Sequence, residues 1–133
     1  SEKYDEKRMM SAIKTVEYIA QNYNNALKED ITRETYIKQY CMNIISLLGY
    51  TLTKTDQKEL ILRGIKKAIE LFKNSLFPSE TENYFKDNYE PILNYLKEER
   101  ADELLNIHFN HKNILNFCVL RKLRHNIKKD MLR

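Results

Sequence analysis

Glycine and proline are almost missing: Gly49, Gly64, Pro78 and Pro91 are the only such residues among 133. A β-rich or α/β domain of this length needs more glycine for its tight turns and phosphate loops. Tryptophan is absent, and the two cysteines, Cys41 and Cys118, lie far apart. Without a CxxC or a Cys/His cluster, both are expected as buried reduced thiols, not as a disulfide or a metal pair. That usage points to an intracellular, cytoplasmic compartment. No run approaches the roughly 20 apolar residues of a membrane span. The charged opening, Ser1 to Arg8, predicts no secretory signal. The missing initiator Met fits a tag-trimmed chain or a domain cut from a longer protein.

What is present is a balance of 42% hydrophobic and 32% charged residues, which fits neither a disordered nor a membrane class. A chain of this size buries roughly two-thirds of its unfolded surface, enough for a core without metals or disulfides. The expectation is one helical domain over residues 1–133. Its class is all-α, a compact, partly antiparallel bundle of about five to seven helices.

Met9, Ile13, Val16, Ala20, Tyr23 and Leu27 recur at steps of four and three, the stripe of a first helix. Asp30 or Thr32 can cap a second helix, whose apolar positions Tyr36, Ile37, Tyr40, Cys41, Ile44, Ile45, Leu47 and Leu48 form a broad face suited to burial. Gly49 is placed to stop it, leaving residues 50–55 as a linker. Asp56 and Glu59 form an acidic variant of the capping box for a third helix. Its face carries Ile61, Ile65, Ala68, Phe72 and Leu76, with Gly64 admitting a neighbouring helix closely. Pro78 closes that helix, and residues 79–82 offer the next start. Pro91 cannot donate to the carbonyl of Asp87, which predicts a kink or break with Glu90 extended. A short helix from about Arg100 to His108 follows, and Asn110 can cap a last helix reaching about Met131.

That last segment is chemically lopsided. Ile114 to Leu120 is apolar nearly all round and belongs in a core. Leu120, Leu123, Ile127 and Met131 then continue one stripe, opposite Arg121, Lys122, Arg124, His125, Lys128 and Lys129. Residues 109–133 hold seven Lys/Arg against one acid, a net of +6, while the first 108 residues sum to −2. The chain's excess positive charge is therefore a property of its tail. A concentrated cationic helix face attracts phosphates through counterion release and can lie along a backbone or enter a groove. The same bases also oppose a helix macrodipole and can serve as an ordinary solvated face. A membrane surface fits less well, because the apolar stripe is needed by the core.

Other motifs invite chemistry. His108 and His111 stand three apart behind Glu99, Asp102 and Glu103. The intervening Asn110 reads as a break, and the Glu-x-x-His of di-iron bundles is absent, so no metal or cofactor is expected. Leu123 to Lys129 resembles the phosphoacceptor box of some sensor histidine kinases, with Asn126 where that box has an acid. It also resembles the Arg-x(4–6)-His motif of HEPN-domain ribonucleases, small helical domains whose paired Arg and His assist RNA cleavage. Here Arg121 is only three intervening residues from His125, and Arg124 has Lys129 where the His would fall. No G-x-S-x-G elbow, P-loop or dinucleotide glycine pattern occurs.

Nine tyrosines complete the picture. Tyr23, Tyr36, Tyr40 and Tyr89 keep helical step with aliphatics and are expected in or at the rim of the core. Tyr4, Tyr50, Tyr84 and Tyr95 are free to line a contact surface. The functional expectation is a non-catalytic binding or regulatory module. Its Arg121, Lys122, Arg124, His125, Lys128 and Lys129 face would meet nucleic acid or an acidic protein. The alternatives are a protein-interaction or homodimerisation domain using the first-helix stripe, and a HEPN-like ribonuclease using Arg124 and His125.

Overall fold

The computed structural model describes residues 2–26 and 31–109. Five helices follow one another: α1 (Glu2–Ala26), α2 (Arg33–Lys54), α3 (Lys58–Lys73), α4 (Pro78–Lys97) and α5 (Ala101–Phe109). No strand occurs among the described residues, and no described helix is long and apolar enough to cross a membrane. Leu27 and the segment 110–133 lie outside the described residues. So do Asn110, His111, Cys118 and the expected final helix.

Helix α3 sits at the centre and packs on each of the other four, while α1 packs on α2 and α3. Cross-helix bonds fix the directions. The hydroxyl of Tyr36 donates to Asn24 and the amide of Asn43 to the Val16 carbonyl, at 2.7 and 2.8 Å, so α2 runs antiparallel to α1. Tyr40 reaches the Leu71 carbonyl at 2.5 Å, near the far end of α3. Lys73 pairs with Glu99 at one end of α3 and Lys58 lies over Phe109 at the other, which makes α5 antiparallel to α3.

The α1 stripe is spent on this core: Met9, Ile13, Val16 and Ala20 are buried and Tyr23 packs against them. Thr32 caps α2, its hydroxyl accepting from the Thr35 amide at 3.1 Å. Gly49 does not stop that helix. It is buried in mid-helix, and residues 50–54 form the last turns of α2 instead of a linker. A mid-helix glycine costs up to about 1 kcal/mol, whereas burying a leucine such as Leu52 recovers roughly 1.5–3 kcal/mol. Burial decides the outcome. Termination comes at Thr55, whose backbone is extended.

Three further boundaries differ from the sequence pattern for local reasons. Helix α3 starts after Gln57, with no side-chain cap from Asp56. The Thr55 hydroxyl accepts from the Gln57 amide instead, and Asp5 of α1 accepts from Thr55 and from the Gln57 side chain. Leu76 lies past the end of α3 and is exposed, so it is not part of that helix's face. Pro78 opens α4 rather than closing α3: it takes the first helical position, where a missing N–H costs nothing. The turn before it is tied by buried Ser75, which accepts from the Phe77 amide and shares a 2.6 Å bond with Thr81. No capping role falls to Ser79.

Within α4 the dihedrals leave the helical region at Tyr89 (φ −143°, ψ 44°), two residues before Pro91. Residues 15 apart on a straight helix would be about 22 Å apart along the axis, yet Glu82 and Lys97 form an ion pair. The two halves of α4 therefore fold toward each other. The helix ends with Glu99 in the left-handed region (φ 56°) and the Arg100 amide bonded to the Tyr95 carbonyl at 2.9 Å, a Schellman closure without glycine.

Helices α2 and α3 approach each other closely at Gly64 and Thr51. A Cβ built on Gly64 would come within 2.1 Å of the Thr51 hydroxyl, so only glycine permits this contact. Cys41 is fully buried on the inner side of α2, and its desolvation pushes the thiol pKa up to about 12.

Candidate nucleic-acid interface

The six residues expected to meet an acidic partner, Arg121, Lys122, Arg124, His125, Lys128 and Lys129, all lie outside the described residues. What is described is the body from which that segment departs. Its last residues are His108, which is buried, and Phe109, half-buried beneath the Lys58 ammonium at 5.2 Å from the ring centroid. The cationic segment thus begins beside the start of α3.

In the body, six of the described cations pair with the protein's own carboxylates. Arg33 pairs with Glu80, Arg63 with Glu6 and Lys73 with Glu99. Lys97 pairs with Glu82, and Arg100 with Glu98 and Glu103. Lys67 bridges Glu70 and Glu17, and the bond to Glu70 is the main reason its pKa is raised. These pairs are largely exposed and contribute little to stability individually. Their relevance is electrostatic: they neutralise fixed positive charge at those six positions.

Helix α1 carries exposed lysines with no ion pair among the described residues on one side. Three of its acids turn toward α2, α3 and the turn between them: Asp5 to Thr55 and Gln57, Glu6 to Arg63, and Glu17 to Lys67. On the side of the lysines, Tyr4, Lys7, Ser11, Lys14 and Tyr18 are exposed at steps of three and four. They form a second stripe on the same helix, opposite the buried one. Arg8 stands at its edge, its guanidinium 5.2 Å from the centroid of the Tyr4 ring and hydrogen-bonded to Tyr50, which raises its pKa. The inward stripe dominates the sequence pattern here and hides the outward one. The signal that could have revealed it was a run from Tyr4 through Tyr18 with no acid at any stripe position.

The other expected tyrosine positions divide cleanly. Tyr36, Tyr40 and Tyr89 are buried. Tyr36 and Tyr40 stack at 5.2 Å, with Phe77 edge-on to Tyr36 at 5.4 Å. Burial pushes both phenols' pKa values upward, so they act as packed hydroxyl donors. Tyr50, Tyr84 and Tyr95 are half-buried against the core.

A groove of about 490 Å³ runs between the end of α3 and the start of α5, lined by Lys66, Glu70, Lys73, Asn74, Glu99 and Asp102 among others. Its charges are mixed and Lys73 is already paired with Glu99, so it selects no single sign of ligand. His108, the described member of the expected histidine pair, is buried on α5. No group of three or more metal-ligating side chains occurs among the described residues. The chain matches no known family, no curated protein and no solved structure.

Proposed function

We propose that this protein is a non-catalytic helical binding module whose C-terminal cationic segment engages an acidic partner, with nucleic acid preferred. The observation that carries this reading is the division of charge. Residues 109–133 hold a net +6 beside a −2 body, and six of the body's cations are paired with its own carboxylates. A field concentrated on one segment directs an anionic ligand to that segment and makes binding salt-dependent. The apolar run Ile114 to Leu120 would anchor the segment, leaving Arg121, Lys122, Arg124, His125, Lys128 and Lys129 for the partner.

The test is a titration of the protein with duplex and single-stranded DNA and RNA at low and moderate salt. Binding is expected to weaken by orders of magnitude as salt rises, with a slope reporting the number of phosphates neutralised. Joint replacement of Arg121, Lys122, Arg124, Lys128 and Lys129 by Ala should flatten that slope. Affinity indifferent to salt, or to the five substitutions, would overturn the proposal.

A further inference from the structure

We propose that the outer face of α1 is a second ligand surface, a stacking platform for single-stranded nucleic acid built from Tyr4, Lys7, Lys14 and Tyr18. Two large aromatic side chains stand there at 60% and 65% exposure, the two most exposed large hydrophobics among the described residues. Neither ring faces the core, to which the helix already supplies Met9, Ile13, Val16 and Ala20. Lys7 and Lys14 lie between the two tyrosines on the same face, exposed and with no ion pair among the described residues. Arg8 flanks Tyr4 and adds a third cation.

The chemistry of the occupant follows from that combination. Lysines held in no ion pair among the described residues suit a repeating anion, and exposed phenol rings suit a flat face that covers them. A second copy of this chain would bring lysines against lysines without compensating acids, which disfavours self-association through this face. A duplex offers phosphates but keeps its base faces stacked internally. A single strand offers both, since every base has a π-face and every linkage a charge. Tyr4 and Tyr18 are 14 residues apart, about 21 Å along the helix, a length that suits on the order of four nucleotides. The platform stands on residues and observations separate from those of the C-terminal segment.

The test uses the full chain and fluorescence anisotropy with labelled oligothymidylate, its duplex with oligoadenylate, and poly-glutamate as competitor. The variants are Tyr4→Ala with Tyr18→Ala, Tyr4→Phe with Tyr18→Phe, and Lys7→Ala with Lys14→Ala, each checked for unchanged helicity. Each is made alone and in the background of the five C-terminal substitutions to Ala. In both backgrounds, the paired Tyr→Ala change should weaken single-strand binding about tenfold or more. The Phe pair should retain it, and the duplex should respond far less. The lysine pair should weaken binding and reduce its salt dependence. Loss of all single-strand binding on removing the C-terminal charges alone would overturn the platform while leaving the C-terminal proposal standing. Equal effects of Tyr→Ala on duplex and single strand would also overturn it. So would displacement by poly-glutamate as effective as by unlabelled oligothymidylate, which would mark an acidic protein as the ligand. Undiminished single-strand binding after the five C-terminal substitutions, still lost on Tyr→Ala, would refute the C-terminal proposal and support the platform.

Discussion

The seam between α2 and α3 and the outer face of α1 obey opposite rules. At the seam, Gly64 brings two helices so close that a single methyl group would meet the buried Thr51 side chain. On the outer face, two tyrosines and two lysines project into solvent while Asp5, Glu6 and Glu17 turn away. The first region has side chains that only the fold explains. The second has side chains that stand outside the core. Substitution should separate them: seam residues govern stability, and outer-face residues govern what the surface binds.

The largest effect should come from closing the seam. Gly64→Val places branched carbon where Thr51 already sits, and overpacking of this kind costs about 3 kcal/mol. Urea unfolding monitored by circular dichroism should show the midpoint falling without loss of the α-helical spectrum at zero denaturant. Adding Thr51→Gly should restore part of the loss, because the obstructing atoms belong to the Thr51 side chain. Equal stability of Gly64→Val and the parent would mean that the helices do not cross there.

The seam also explains why the sequence revealed the class of fold better than its boundaries. The scarcity of breakers and the stripes of α1, α2 and α3 are local, repeated over many turns, and identify those helices and most of their buried positions. The spacing at Gly64 suggested a close neighbour, and Thr51 is that neighbour. Boundaries depend on single residues in competition with tertiary contacts. Gly49 lost to the burial of Leu52, Asp56 lost its cap to Thr55 and Asp5, and Pro78 opened a helix where it had been read as closing one. Each outcome was decided by a partner distant in sequence or by a turn tied after the boundary. The outer stripe of α1 was present in the sequence but overshadowed by the inner one, since apolar periodicity selects for core. The cationic segment was legible as charge, and its six expected contact residues lie outside the described residues.

A smaller effect should appear with pH. The buried Cys41 thiol has its pKa raised by desolvation from an ordinary thiol's 9.0 to about 12, and burial pushes that of Tyr40 upward as well. Both groups fold in the neutral form. Stability from that source is fully present below about pH 9, the unfolded thiol's value, and is lost as pH rises toward about 12. Between about pH 7 and about pH 10.5 the urea midpoint should fall by the equivalent of roughly 1–2 kcal/mol. Cys41→Ala should lower stability at neutral pH and flatten this alkaline decline. A variant whose midpoint declines as steeply as the parent's would assign the pH dependence to other groups. Outer-face substitutions should leave the alkaline profile unchanged, because those side chains do not enter the core.

The smallest expected effect is also the one that defines the second region. Tyr18 has no hydrogen-bond or ring partner among the described residues and is 65% exposed, so Tyr18→Ala should change stability by no more than about 0.5 kcal/mol. Alanine is the better helix former, and that gain offsets much of the packing lost with a ring that is mainly hydrated. A fall of 2 kcal/mol or more, beyond the roughly 0.5 kcal/mol typical of surface changes, would mean that Tyr18 holds the fold together. The platform on α1 would then lose its premise, because exposure without a structural role is what frees that ring to stack on a base.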